Sequence, residues 1–427
     1  MLNERSSKST SELNNQVETV LSPAAVLKQK MGFGEFILLM AALTSIVAFS
    51  IDIVLPALPN ISADYSLTND NDRQLVIVAF IVCFGITQLI FGPLADRFGR
   101  KWLTLGGLAV YAVASFAASF APNFETLLIA RACQAVGASA VRITTSAIVR
   151  DCFEGRDMAR VMSYIFTTFM VVPIFAPALG QAFLYFAEWH LIFTFLGVGS
   201  ILMGYWGYSR LDETLAPEDQ RSLSPASIFT ACKEIATNRI SAGYSIATTL
   251  YFGALFSMVV SVQQIFVDVF GLGDWFAIAF AGNACGMAVT SFANARLVRS
   301  IGMRRMSHGA MVTFALASIS MFAISQMAVL PILAAYILVA IAMMSFGLVA
   351  GNFNSIAMQP LGHIAGTATS VIGTLTFTGG AVLGGIVGQA FDGTIVPLAT
   401  AFLIFGLAAM LIVFVTEGGR LFNAENG

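Results

Sequence analysis

Twelve long apolar runs follow one another along this chain, at roughly 34–58, 73–95, 102–121, 124–150, 158–184, 189–210, 240–265, 274–296, 305–326, 331–357, 366–390 and 395–416. Each approaches or exceeds the about 20 residues that a helix needs to cross the hydrocarbon core of a bilayer. With 57% hydrophobic and 11% charged residues and a mean hydropathy of +0.81, the chain holds more apolar side chains than a globular core could hide. Soluble domains carry about 25% charged residues. Lipid is therefore the expected solvent, and the sequence reads as an all-α membrane protein of twelve transmembrane helices. A net charge of −2 gives no sign of a nucleic-acid partner.

The runs fall into two sets of six. Between them lies a polar stretch, 211–239, which carries Asp212, Glu213, Pro217, Glu218, Asp219, Arg221, Pro225 and Lys233. The chain divides accordingly into a polar N-terminal tail (1–33), a six-helix bundle (34–210), a cytoplasmic linker (211–239), a second six-helix bundle (240–416) and a short tail (417–427). Residues 1–30 have no apolar core of the signal-peptide kind and read as a cytoplasmic leader, with an amphipathic turn over Val17 to Val26 as a weak feature. Counted over the loops, 19 of the 22 Lys and Arg fall on the side of the N-terminus, and only Arg73 falls on the other. Basic loops stay in the cytoplasm, so both termini are expected there. Cys83, Cys133, Cys152, Cys232 and Cys285 lie in apolar runs or on that reducing side; no disulfide is expected, and no pair has zinc spacing.

The hinge after the second run reads Gly92-Pro-Leu-Ala-Asp96-Arg97-Phe-Gly99-Arg100-Lys101. A degenerate copy, Leu297-Val-Arg-Ser-Ile-Gly-Met-Arg-Arg305, follows the eighth run. Like hinges at like places mean two parallel repeats, related by a pseudo-two-fold axis along the membrane normal. Gly92 and Gly99 remove Cβ where helix ends crowd and the chain turns. In the fifth run Pro173 and Pro177 each delete a helical hydrogen bond on one face, which bends the helix. The bend either gates the path between the bundles or is a fixed kink.

The 92–101 stretch resembles the loop signature of the major facilitator superfamily. Arg131-Ala-Cys-Gln134-Ala-Val-Gly137, ending Ala147-Ile-Val-Arg-Asp151, resembles a second signature of proton-coupled drug exporters. With Asp52-Ile-Val-Leu-Pro-Ala-Leu-Pro59, Pro173-Ile-Phe-Ala-Pro-Ala-Leu-Gly180 and Met358-Gln-Pro-Leu-Gly-His-Ile-Ala-Gly366, these are similar to the twelve-span drug:proton antiporters of the bicyclomycin and chloramphenicol resistance group. The chain departs from the group at Ser146, where Arg is common, and around Pro177, where Ala176 and Gln181 replace glycines. The resemblance implies the major facilitator fold, a bacterial inner-membrane location, a monomer, and no cofactor beyond the proton gradient. It also implies that Asp96, with Arg97 and Arg100, braces the second helix against the start of the eleventh at Gly366 and Thr367 in the outward-open state. The alternative is a solvated basic loop that only fixes topology.

An ionisable side chain in hydrocarbon costs about 2.5–3.5 kcal/mol on the lenient scale, so each is a functional candidate. Asp52 is the carboxylate well inside a run. At about 1.5 Å per residue it lies roughly 9 Å to the outer side of its helix midpoint, and Arg131 lies at the same depth. The two are expected to face each other, through Gln134 or a water, and to couple proton and substrate movement; the alternative is a permanent structural ion pair. Arg142 follows Arg131 by three turns on one face, as a cavity cation for carbonyl-rich or anionic cargo or as a carbonyl-bonded gate residue. Tyr251, Asn283, Asn352 and Asn354 are the deep polar groups of the second bundle and candidates to line a cavity.

These features describe a proton-coupled secondary transporter that exports small amphiphilic drugs or metabolites by alternating access. A proton symporter, or a metabolite or siderophore exporter of the same fold, stays open as the alternative. No GxxxxGK[ST] loop is present to use ATP. The three histidines, His190, His308 and His363, are scattered at run ends, which argues against a membrane-embedded enzyme or a metal site.

Overall fold

A computed structural model describes residues 31–153, 155–216 and 225–422; the Val17–Val26 stretch lies outside them. The described residues are helical and contain no strand. The first helix, α1 (Phe33–Asp52), is shorter than the apolar run that encodes it. Pro56 has no N–H for the Asp52 carbonyl and Pro59 none for that of Leu55, so the run breaks into a 3-10 turn, Leu55–Ala57, and a short helix, α2 (Leu58–Asp64).

Helices α3 (Leu75–Phe98) and α4 (Arg100–Ser119) meet at Gly99, whose φ of 91° only glycine adopts without strain. There follow α5 (Phe124–Cys152), α6 (Gly155–Phe186) and α7 (His190–Arg210). The polar stretch expected to be a linker contains a helix of its own, α8 (Pro225–Thr237), which buries Ala231 and Ile235 and packs on α13 (Ala365–Gln389). The remaining helices are α9 (Arg239–Gln263), α10 (Phe276–Ile301), α11 (Met303–Ser325), α12 (Ile332–Met358) and α14 (Val396–Thr416). A π turn, Gln264–Val269, extends α9, and a 3-10 turn, Gln359–Ile364, separates α12 from α13. Among the described residues ten stretches are long and apolar enough to cross a membrane; the longest, Ile332–Gln389, runs 58 residues, and Val171–Phe186 is a shorter apolar helix.

Within residues 33–210, α4 packs on α5 and α7, α3 on α5, and α1 on α6. Within residues 239–416, α11 packs on α12 and α14, α10 on α12, and α9 on α13. Two further contacts join the two sets of helices: α3 with α13, and α6 with α10.

Close crossings rest on missing side chains. At the α4–α5 crossing, a Cβ on Gly137 would stand 2.6 Å from the Tyr111 nitrogen, and one on Gly107 2.9 Å from the Gly137 carbonyl. On α13, Gly380 and Gly384 sit against the Phe252–Gly253 and Phe256–Ser257 backbone of α9. Gly137→Ala is expected to destabilise the protein by about 1–3 kcal/mol through overpacking. Gly106→Ala, which meets nothing within 4 Å, is expected to be neutral. Thermal unfolding in detergent distinguishes the two.

Candidate functional site

The deepest charge is Arg131. It is fully buried on α5, and its guanidinium is spread over three acceptors. Nε donates to the Val76 carbonyl (3.0 Å), Nη1 to Gln134 Oε1 (2.5 Å) and Nη2 to the Ser50 carbonyl (2.9 Å). Its face lies over the Phe80 ring, 4.5 Å from the centroid. Gln134 Nε2 passes the network on to Ser115 Oγ (2.7 Å), and Ser50 Oγ meets Tyr111 OH (2.5 Å). Directly, and through Gln134 for α4, Arg131 thus ties α1, α3, α4 and α5 together.

The pairing of Arg131 with Gln134 is present, and among the described residues no hydrogen bond or ion pair joins either of them to Asp52. The reason is local. Because α1 stops at Asp52, the carbonyls of its last turn lack helical donors. Arg131 takes one of them, Ser50, and so places its charge at the negative end of the helix. Asp52 itself is only 6% exposed and has no hydrogen bond or ion pair among the described residues.

The hinge residues gather into a compact charge cluster. Arg100, 4% exposed in its side chain, pairs with Asp96 (3.0 Å) and Asp151 (3.1 Å) and also donates to the Ala95 carbonyl. The Glu213 carboxylate accepts the first N–H groups of α4, from Arg100 (2.7 Å) and Lys101 (3.1 Å). It occupies the space that a Cβ on Gly99 would need. Thr214 Oγ1 donates to Asp151 (2.9 Å). Asp96 is therefore turned to Arg100 in this conformation and not to the start of α13. Arg97 stacks beside Phe98 at 5.5 Å, and Gly92 lies against Ser370 of α13. Pro173 and Pro177 lie within α6, which runs on through both; three residues later Gly180 presses on the Ile53–Pro56 bend.

The other cavity candidates do not converge. Arg142 lines a cavity of about 40 Å³ with Thr44, Thr145, Ser146 and Met162. Asn352 ties α12 to α10 through Asn294 (2.7 Å). Asn354 is exposed, Asn283 is buried with its Oδ1 unpartnered among the described residues, and the Tyr251 ring packs with those of Phe314 and Phe353 with its hydroxyl buried.

Two clusters carry no signature in the sequence. An aromatic group joins α3 to the later helices: Phe84 meets Phe377 (5.2 Å), which meets Phe252 (5.2 Å), which meets Phe346 (5.0 Å). At the end away from the basic hinges, a polar clasp crosses the same divide. Asn71 Nδ2 donates to the carbonyls of Gln389 (3.1 Å) and Phe391 (2.8 Å), Gln389 Nε2 donates to the Asn71 carbonyl (2.8 Å), and Gln264 Nε2 donates to Asn71 Oδ1 (2.9 Å). Gln74 bonds Gln264, and Arg73 pairs with Asp268 (3.1 Å). The one signal in the sequence was Arg73, the lone basic residue on that side.

Arg131→Lys is expected to lower the thermal stability measured in detergent. A lysine cannot fork to carbonyls on two other helices, and each lost bond to a charged group is worth about 1.5–3 kcal/mol. An unchanged melting temperature would remove the hub from the account.

A family model for the Major Facilitator Superfamily matches residues 40–385. The MFS-type transporter YdgK of Bacillus subtilis is 30% identical over 88% of this chain and 94% of its own length. The bicyclomycin resistance protein homolog of Haemophilus influenzae is 27% identical over 89% and 94%, and a chloramphenicol resistance protein of Pseudomonas aeruginosa 29% over 82% of each. Among solved structures, the peptide transporter POT in complex with sulfate superposes with a TM-score of 0.72 at 13% identity, covering 91% of this chain and 95% of that one. The human organic anion transporter MFSD10 gives 0.67 at 16% identity, covering 89% and 98%.

Proposed function

The chain belongs to the major facilitator superfamily, and from that membership and the geometry above we propose that it exports small amphiphilic drugs or metabolites in exchange for protons, by alternating access. It is a multi-pass membrane transporter and not an enzyme. The resistance proteins among its relatives support drugs as cargo.

The span count is read as twelve. The stretch Ile332–Gln389 breaks at Gln359–Ile364 into α12 and α13, and α6, which holds Val171–Phe186, adds one more. Residues 34–210 and 240–416 are read as two bundles related by a pseudo-two-fold axis. The matched contacts support this: α4–α5 with α11–α12, α3–α5 with α10–α12, α4–α7 with α11–α14, and α1–α6 with α9–α13. The two joining contacts, α3–α13 and α10–α6, exchange under the same operation. Both hinges turn on a glycine of nearly equal φ, 91° at Gly99 and 93° at Gly302. With the basic hinges in the cytoplasm, both termini are cytoplasmic, in the inner membrane of a bacterium. One copy holds both bundles, so a monomer suffices.

The observation that carries this reading is the clasp. It holds the two bundles together at the outer end, while Asp96 is engaged by Arg100 and not by α13. That is the arrangement of an inward-facing state, in which the inner brace is released. Asp52 is the group proposed to exchange the proton. It is a carboxyl inside the first span, close in sequence to the Ser50 carbonyl that Arg131 holds, and free of any fixed partner among the described residues. A carboxyl locked in an ion pair would have no reason to change its proton as access alternates.

The test uses everted membrane vesicles with an acidified lumen. Adding a cargo such as chloramphenicol to the bath is expected to raise the luminal pH as protons leave in exchange. Asp52→Asn, folded and inserted as judged by its unchanged melting temperature, is expected to retain less than a tenth of that signal. Luminal acidification on adding cargo would instead establish symport, and undiminished exchange in Asp52→Asn would take that residue out of the mechanism.

A further inference from the structure

A buried polar cluster that the transport reading does not use lies at the inner end of the second bundle, where the chain leaves α14. The Glu417 carboxylate, 8% exposed, accepts from Arg304 Nε of α11 (2.9 Å) and from the Tyr244 hydroxyl of α9 (2.8 Å). The Tyr244 oxygen lies 2.9 Å from His308 Nε2 on α11. On the other side of the imidazole, Nδ1 accepts the backbone N–H of Phe422 at 3.0 Å, and the Phe422 ring meets the imidazole edge-on at 5.8 Å. Gly418 and Gly419, both at positive φ, turn the chain after Glu417, and Leu421 packs on the core. The segment Gly418–Phe422 is thus tied to α11 through one imidazole nitrogen.

This chain of bonds fixes the protonation of His308. A phenol has a single proton to donate. Tyr244 gives it to Glu417, so its oxygen accepts from His308, and Nε2 carries the imidazole hydrogen. Nδ1 then holds the lone pair that the Phe422 N–H requires. A second proton would sit on Nδ1, remove that acceptor and face the Phe422 N–H. A docked tail and a protonated His308 therefore exclude each other. The imidazole is fully buried, so a proton reaches it when the tail has lifted.

We propose that Gly418–Phe422 is a proton-operated latch, closed on neutral His308 and released when the imidazole takes up a proton. The groups around the ring set the sense of the switch. Among the described residues, Glu417 and Arg304 are the charges that act on it, and that carboxylate is already shared between Arg304 and Tyr244. Of the helices packed on α11, α12 carries Tyr336 at its outer end and no charged residue, α14 carries none before Glu417, and α10 carries Arg296 and Arg299, which are exposed. Arg305 of α11 and Arg420 of the tail are exposed too, and Arg239 of α9 donates to the Val415 carbonyl. No further acid waits to hold an imidazolium in the docked state, so acid opens the latch. Histidine is suited to this because its charge changes between about pH 5 and 8. That the proton comes from the cytoplasm, where the proposed exchange delivers it, rests on the orientation given above; the latch itself does not.

The test uses the full chain in lipid nanodiscs, with its five native cysteines replaced by serine and a nitroxide on Arg420→Cys. The ratio of mobile to immobile label is expected to rise about tenfold from about pH 7.5 to about pH 5.5, as protonation of the freed imidazole competes with docking. His308→Asn, whose amide does not titrate, is expected to lose that dependence. In the unlabelled wild-type chain, nitrogen-15 NMR of histidine is expected to show an unprotonated His308 Nδ1 at neutral pH, and its protonation to coincide with release of the tail. A ratio that does not move with pH, the same change in His308→Asn, or a protonated Nδ1 at neutral pH would overturn the proposal. None of these readouts involves cargo, so an immobile tail at both pH values in a chain that exports would overturn the latch alone. A working latch in a chain that moves no protons on adding cargo would overturn the transport reading alone.

Discussion

Helices α3 and α13 lie along each other because little stands between them. Gly85 meets the Thr378 backbone, Gly92 meets Ser370, and on the other side Gly373 meets Gln88, Gly385 meets Val78 and Gly388 meets Gln74. This seam is a large share of what joins the two sets of helices, and its character decides what the molecule can do. Small-residue contacts of this kind gain from close packing and little from directional bonds. The directional bonds are gathered at one end, where Asn71 reaches three partners in the second bundle.

The contrast with the inside of each bundle is chemical. In the first, Arg131 fills its donors with carbonyls from two neighbouring helices and the amide of Gln134 on its own helix, and Arg100 gathers the hinge cluster in the same way. Removing either partner would leave a charge in a place that cannot solvate it. Along the seam, by comparison, Gln88 Nε2 and the hydroxyls of Thr374, Thr376 and Thr378 are buried without partners among the described residues. Parting the seam there breaks no hydrogen bond and lets those groups meet water. Rigid bundles and a weakly bonded seam are what the proposed rocking needs, and the Phe84 ring meets that of Phe377 edge-on across the seam.

What the sequence made legible follows from which forces act locally. The apolar runs, the polar break between them and the paired glycine hinges are one-dimensional signals. The structure returns them as helices, a division of contacts and two matching positive-φ turns at Gly99 and Gly302. The end of α1 is not marked by hydropathy, because apolar residues continue past Asp52 to Leu58, and Pro56 and Pro59 are what betray the break. Depth arithmetic placed Asp52 and Arg131 level, yet it could not know that a helix end offers an arginine free carbonyls, which compete with a carboxylate. Helix α8 carries no clear signal because, among the described residues, its buried apolar contacts are Ala231 and Ile235, which need little apolar sequence. The clasp and the aromatic group were invisible for a different reason: Asn71, Gln264 and Gln389 are far apart in the chain, and nothing in any one of them announces the others.

The central claim is that the clasp belongs to one of two states through which the transporter must pass. It is tested by joining the clasp covalently, with cysteines replacing Asn71 and Gln389 in a chain whose five native cysteines are serine. Oxidation of N71C/Q389C is predicted to stop proton-driven export in vesicles, and reduction to restore it. Full export with the cross-link formed would show that the outer ends never need to part, and would contradict the account.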